Sequence, residues 1–328
     1  MKIENIQDDV KTDVPSNSNA GPSEDSRPRV RQFQDAVPLL GIPELLRERA
    51  SRDGFLFMKG LLNKDKIAQL RKEMLAIIKS HGLLDSSHEL SEGFADVNAV
   101  NRLTLDRDDV GTTAEIYLAV QRLKRFQAML HDPALLAAMR VLFGAEPFPH
   151  PMTIGRIMLP HAALRATPPH QDFIHIQGTR TTWTAWFPVG DCPKELGGLS
   201  MLAGSHEQGV LDVAAHGGAG GLETILCDLD LEWAEGDYEM GDVILFNSLT
   251  VHKALPNKSP GKIRLSCDFR YQPAHLEIDP RSLGPHVATW EEIYAGWPGE
   301  EWKYYWKEAA MPYSQWDESI RWQKEKIC

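Results

Sequence analysis

Residues 241–273 read GDVILFNSLTVHKALPNKSPGKIRLSCDFRYQP. Asp242 to Phe246 is the apolar run of a buried strand, Asn247 and Ser248 carry turn chemistry, and His252 opens the next polar stretch. From Ile263 to Tyr271 the chain alternates. Ile263, Leu265, Cys267, Phe269 and Tyr271 are largely apolar, whereas Arg264, Ser266, Asp268 and Arg270 are polar. A strand sends successive side chains to opposite faces, so one face is expected against helices and the other against a polar cavity or solvent.

Upstream, from 145 to about 275, short β-branched or aromatic runs alternate with Pro, Gly and Asn and show no sustained helical period. That pattern predicts a sandwich or barrel of antiparallel strands. The segment before it is helical in character. GFLFMKGLL at 54–62 is a strand-like run, Asn63 is a helix cap, and Ile67, Leu70, Met74, Ile77 and Ile78 follow at steps of three and four, closed by Gly82. Thr112 and Glu115 have capping-box spacing ahead of a helix carrying Ile116, Val120, Leu123 and Leu130, and Asp132-Pro133 places a cap and a first-turn proline before LLAAMRVLFG. The expected organisation is a disordered tail over 1–28, poor in large apolar side chains, and a single domain over 29–328. Within it, helical support spans about 63–143, the strand core about 145–275 and a C-terminal cover about 276–328. The cover holds six of the nine tryptophans, and these read as amphipathic rings packed on the core, or else as a lid or oligomer surface.

Composition sets outer limits. The 328 residues are 42% hydrophobic, enough for a full-sized core, and the net charge of −11 argues against a nucleic-acid partner. The chain has no apolar run long enough to span a membrane and no secretory leader, so a cytoplasmic protein is expected. Cys192, Cys227, Cys267 and Cys328 are widely spaced without CxxC pairs and read as reduced thiols.

The chemistry concentrates in two places. In PPHQDF at 168–173, His170 and Asp172 stand two apart, so an extended chain would turn imidazole and carboxylate to the same side. Taken alone, HxD equally describes a strand with a polar face. His252 supplies the third group. Two histidines and one carboxylate on one face of an octahedral iron leave the other face open for oxygen and a chelating co-substrate. Arg264 and Ser266, beginning 12 residues beyond His252, match the fork-plus-hydroxyl grip that the distal carboxylate of 2-oxoglutarate needs.

Taken in order, HQD, TAWFPVGDCPKELGGLSMLAGSH at 184–206, VH at 251–252 and R-x-S at 264–266 resemble the phytanoyl-CoA dioxygenase family of 2-oxoglutarate oxygenases. GFLFMKGLLNKDKIAQLRKEM at 54–74 is similar to that family's first strand and helix, so the resemblance covers roughly 50–275. It implies a double-stranded β-helix (jelly roll, cupin-like), iron(II) ligands His170, Asp172 and His252, and 2-oxoglutarate binding by Arg264 and Ser266 with Trp186 bordering the co-substrate. It further implies a dioxygenase that uses O2, is stimulated by ascorbate, and hydroxylates an unactivated C–H of a small molecule with release of succinate and CO2. Because Asp172 is present rather than Gly or Ala, hydroxylation is favoured over halogenation. Ala254 departs from members with a hydroxyl residue there, and neither HGGAGG at 216–221 nor the Trp-rich C-terminus belongs to the resemblance.

Other groups read as secondary. His175, three past Asp172, is expected on the opposite strand face, His206 belongs to a structural GSH turn, and His150 and His161 read as partly exposed loop residues. Arg156 either points into the cavity toward a carboxylate or snorkels outward. Gln171 faces away from the iron and orients a loop. The acidic run 228–242 lacks EF-hand spacing and reads as a solvated hairpin face, and HGGAGG reads as a flexible connection or a cover. Two alternatives stand beside the oxygenase: a zinc-dependent hydrolase using the same three ligands, and a non-catalytic jelly-roll binding or sensor protein.

Overall fold

The computed structural model describes residues 29–105, 111–160, 166–217, 220–227 and 229–326. The expectations for 1–28, His161, Asp228, Cys328 and positions 218–219 of the glycine-rich segment lie outside these residues.

The first half supplies β1 (Val30–Gln32), α1 (Pro43–Asp53), β2 (Phe55–Met58), α2 (Lys64–Ser80), α3 (Val97–Arg102), α4 (Ala114–Gln121), α5 (Lys124–Met129) and α6 (Pro133–Phe143). The caps follow sequence chemistry. Asn63 accepts from Lys66 N at 3.1 Å at the start of α2, and Asp132 accepts from Ala134 N at 2.9 Å ahead of Pro133 in α6. The expected continuous helix through Leu130 is instead two helices, capped at Thr113 rather than Thr112. The break at Arg122–Leu123 is stabilised from inside, because the buried Gln127 Nε2 donates to the Gln121 carbonyl at 3.1 Å.

The second half supplies β3 (Pro147–Pro149), β4 (Ile154–Met158), the one-turn α7 (Phe173–Ile176), β5 (Trp183–Pro188), β6 (Leu199–Leu202), β7 (Val213–Ala215), β8 (Leu222–Thr224), β9 (Trp233–Glu235), β10 (Val243–Asn247), β11 (His252–Ala254), β12 (Arg264–Pro273) and α8 (Trp290–Tyr294). The major sheet runs β2-β10-β5-β12-β3, with β4 also pairing on β12, and the minor sheet runs β1-β9-β6-β11. The two sheets form a jelly roll. Phe55, Phe57, Trp186, Ile244 and Phe246 of the major sheet meet Leu199, Met201, Ala234 and Ala254 of the minor sheet inside the sandwich. The alternate residues Leu56, Met58, Ala185, Phe187, Val243, Leu245, Leu265, Cys267 and Phe269 face outward onto the helices, sharing a core with Leu70, Met74, Val120, Phe126 and Met139. The period-2 pattern of β12 thus divides helix-facing from cavity-facing groups.

After β12 the chain forms short turns around α8. Trp306, Tyr294, Ile293 and Ile278 pack with Phe148 of β3, while Trp322 is 70% exposed. Three sequence readings need correction. Cys227 is disulfide-bonded rather than reduced, a pairing that linear spacing does not reveal, whereas Cys192 and Cys267 are free and buried. Part of the acidic run is not a solvated face, because Trp233–Glu235 forms the buried β9 and Glu235 is tied to Lys194 and Ser200. His150 is buried, not in an exposed loop; its Nε2 lies 2.9 Å from Gln272 Oε1, and burial first, then Arg270, drives its pKa down to about 3. Among the described residues no helix is long and apolar enough to cross a membrane.

Candidate metal and co-substrate site

His170 and His252 face each other across an antiparallel bridge, with His170 N donating to His252 O at 2.9 Å and His252 N to His170 O at 3.0 Å. Their rings are 4.1 Å apart. Each Nδ1 sits against a backbone carbonyl, Pro168 O at 2.8 Å for His170 and Thr250 O at 3.0 Å for His252. A carbonyl only accepts, so both Nδ1 atoms carry the proton and both Nε2 lone pairs are left for a cation. Those Nε2 atoms lie 3.8 and 3.9 Å from Asp172 Oδ1. Metal bonds of about 2.0–2.2 Å to nitrogen and oxygen bring three atoms at such separations to one ion, and all three residues are buried.

Asp172 does not continue a strand, as the sequence reading assumed. It has helical backbone angles and immediately precedes α7. Its other oxygen, Oδ2, accepts from Thr184 Oγ1 at 2.7 Å and Arg270 Nε at 3.4 Å. The β5–β12 register explains this pair, since Thr184 and Arg270 are cross-strand partners on the cavity face. Burial alone would raise the Asp172 carboxyl; Arg270, the two imidazoles and the Thr184 hydroxyl outweigh it and hold the group well below the ordinary carboxylate range. Oδ1 is therefore held as a fixed anionic oxygen beside the two imidazoles. Sequence reasoning gave Thr184 and Arg270 no part in the site. The only linear signal was that the polar alternation of the last strand continues to Arg270.

The helical turn also corrects His175. A residue three past Asp172 lies across from it on a strand but returns to the same side on a helix. The His175 ring is accordingly 6.3 Å from His170 and lines the cavity, and burial is the first reason that its pKa falls to about 3. Gly220 of the glycine-rich segment packs on it; with φ +81°, a Cβ there would stand 2.9 Å from His175 Nε2. Gln171 turns away from the three ligand groups, its amide joining Gly209 O, Leu249 O and Leu211 N. His206 is structural, bonded to Ser51 O at 2.9 Å.

Beyond the ligand groups a narrow inner chamber is bounded by Trp186, Phe246, Ala254, Arg264 and Asp268. Arg264 is 3% exposed, and its contacts are weak: Ser266 Oγ at 3.4 Å, Met158 Sδ at 3.6 Å, and no partner for Nε. Burial lowers its pKa. The guanidinium sits 5.8 Å from the Trp186 ring, whose Nε1 also lacks a partner. A buried cation without a close carboxylate, beside a second orphaned donor, fits an anionic co-substrate. Ser266 touches Arg264 and is not among the residues lining the chamber. Arg156 points inward, and its Nε is bonded to Asp268 Oδ2. Desolvation lowers the Arg156 pKa, but Asp268 reverses the sign.

The family model for phytanoyl-CoA dioxygenase matches residues 50–266. The chain belongs to that family. As a phytanoyl-CoA dioxygenase family member it is a 2-oxoglutarate-dependent non-haem iron dioxygenase. It is 28% identical over 271 residues to 1-deoxypentalenic acid 11-beta-hydroxylase of Streptomyces arenae, covering 77% of this chain and 89% of that protein. It is 27% identical over 267 residues to the protein of the same description from Streptomyces exfoliatus, with the same coverage. Among solved structures, the epimerase SnoN in complex with Fe3+, alpha ketoglutarate and nogalamycin RO aligns at 18% identity and a TM-score of 0.49, over 73% of this chain and 86% of that one.

Proposed function

We propose that this dioxygenase hydroxylates an unactivated C–H bond of a small-molecule substrate, holding iron(II) through His170, Asp172 and His252 and 2-oxoglutarate through Arg264, with Trp186 bordering the co-substrate. The observation that carries this reading is the convergence of two unprotonated Nε2 atoms and Asp172 Oδ1, with a buried guanidinium facing the same chamber. The similarity to two proteins named as hydroxylases supports hydroxylation as the outcome.

When bound, iron(II) and 2-oxoglutarate supply the oxygen chemistry and release succinate and CO2. The chain's own groups do the rest. Pro168 O and Thr250 O fix the ring orientation of the two histidines, and Thr184 with Arg270 occupies Asp172 Oδ2 so that a single oxygen faces the ion. Arg264 fixes the far carboxylate, and the apolar walls given by Phe246, Leu199 and Ala254 limit water in the inner chamber. A zinc hydrolase would use the same three ligands but gives Arg264 no part.

Purified protein supplied with iron(II), ascorbate, 2-oxoglutarate and air should release succinate slowly without substrate, and faster with a substrate that gains one oxygen atom. Activity with zinc and none with iron would overturn the reading in favour of a hydrolase. Binding of 2-oxoglutarate with no succinate under any candidate substrate would overturn it in favour of a binding protein.

A further inference from the structure

Outside the ligand groups lies a second cavity of about 250 Å³, contiguous with the first through His170, Asp172 and Arg156. Its walls divide by chemistry. Met152, Ile154 and Ile176 are apolar, whereas Arg156, Arg270 and His175 are polar. The two arginines are not equivalent. Arg156 is engaged by Asp268, but Arg270 spends only Nε on Asp172, and its Nη1 has no hydrogen-bond partner although the residue is 4% exposed.

Charge counting sharpens this. Among the described residues, the charged side chains lining the two chambers are Arg156, Arg264, Arg270, Asp172 and Asp268, three cations against two anions. A divalent metal and a doubly charged keto-diacid cancel each other, so the described lining of a loaded site carries one net positive charge. A buried uncompensated charge is costly and is ordinarily matched by a partner. A neutral ligand would leave it unmatched.

Building on the proposed function, we propose that the substrate is a monoanionic carboxylate with an apolar body, its carboxylate taken by the Arg270 guanidinium, which lines the cavity, and its hydrocarbon lying along Met152, Ile154 and Ile176. Arg270 then serves twice, steadying Asp172 through Nε and receiving the substrate with the rest of its guanidinium. The carboxylate positions the body over the ligand groups and takes no part in the oxidation. At about 250 Å³ the cavity falls just below the usual range of small-molecule sites, so it suits a compact skeleton.

The test uses full-length protein loaded with manganese(II) in place of iron and saturated with 2-oxoglutarate, so that ligands bind without turnover. Compact mono- and polycyclic carboxylic acids are compared by calorimetry with their matching primary alcohols. At least one acid should bind about tenfold or more tighter than its alcohol, as a charge-assisted hydrogen bond in a buried site allows. In an Arg270→Met variant that still takes up manganese and 2-oxoglutarate, that advantage should collapse. Equal binding of acid and alcohol, failure of every acid to bind, or displacement of 2-oxoglutarate by the acid would overturn the proposal. If the Arg270→Met variant does not fold, the wild-type comparison decides. Failure of the protein to take up manganese and 2-oxoglutarate at all would instead sink the underlying functional reading, so the two failures are distinguishable.

Discussion

Arg264 and Thr184 show how single groups are tuned for the site. Arg264 is a buried cation with only weak neutral partners, so removing it should not harm the empty protein. Arg264→Met is expected to raise the dissociation constant for 2-oxoglutarate by roughly 10- to 100-fold, with a melting temperature for ligand-free protein that does not fall. Calorimetry and thermal denaturation check the two halves. Thr184→Val removes the 2.7 Å hydrogen bond to Asp172 Oδ2 without changing volume much, and metal affinity, measured by competition with a chelator, should drop roughly 10- to 100-fold. The convergence of His170, Asp172 and His252 was legible because HxD and VH are local patterns, and Arg264 was singled out from R-x-S in the same way. Thr184 and Arg270 were not, because these residues, 86 apart in sequence (270 − 184), become neighbours only through the register of two strands. His175 was misplaced for another reason: Phe173-Ile174-His175-Ile176 has strand-like composition but forms a helical turn, so its period was read as 2 instead of 3.6.

The elements that frame the site obey the same local rules with one exception. Strand β12 was readable as an amphipathic strand, and its two faces serve the helical core and the cavity as the alternation requires. The helices α2 and α6 were readable from their caps. The division between α4 and α5 was not, since no proline or glycine marks it; it depends on Gln121, Gln127 and Thr153 meeting inside the fold. Gln127→Leu would leave the Gln121 carbonyl without its donor in a buried setting, while Gln121 Oε1 keeps Thr153 Oγ1 at 3.2 Å. We expect a loss of about 1–3 kcal/mol in urea denaturation, with metal affinity unaltered because the network sits on the helix-facing side of the sheet.

Across the molecule, burial of neutral histidines makes stability depend on pH. His131 and His150, both outside the metal cluster, have pKa values lowered chiefly by burial to about 4 and about 3. The unfolded chain takes up these protons near pH 6.5 and the folded chain does not, so stability is full above pH 6.5 and is lost as pH falls toward 4. Each contributes up to about 2 kcal/mol of loss between pH 7 and pH 5. Urea denaturation at the two pH values should show it, and His150→Gln should flatten the dependence. The sandwich architecture was legible from strand spacing, whereas the facing of the two sheets and the nesting of the C-terminal aromatics against Phe148 arise from contacts that no local pattern encodes. The central claim is that one cation joins His170, Asp172 and His252 and that 2-oxoglutarate binds beside it. Calorimetric titration of 2-oxoglutarate into anaerobic protein, with and without iron(II), tests it for wild type and for His252→Ala. One equivalent should bind to iron-loaded wild type, with strongly reduced binding when either iron or His252 is missing. Equal binding in all of these samples would contradict it.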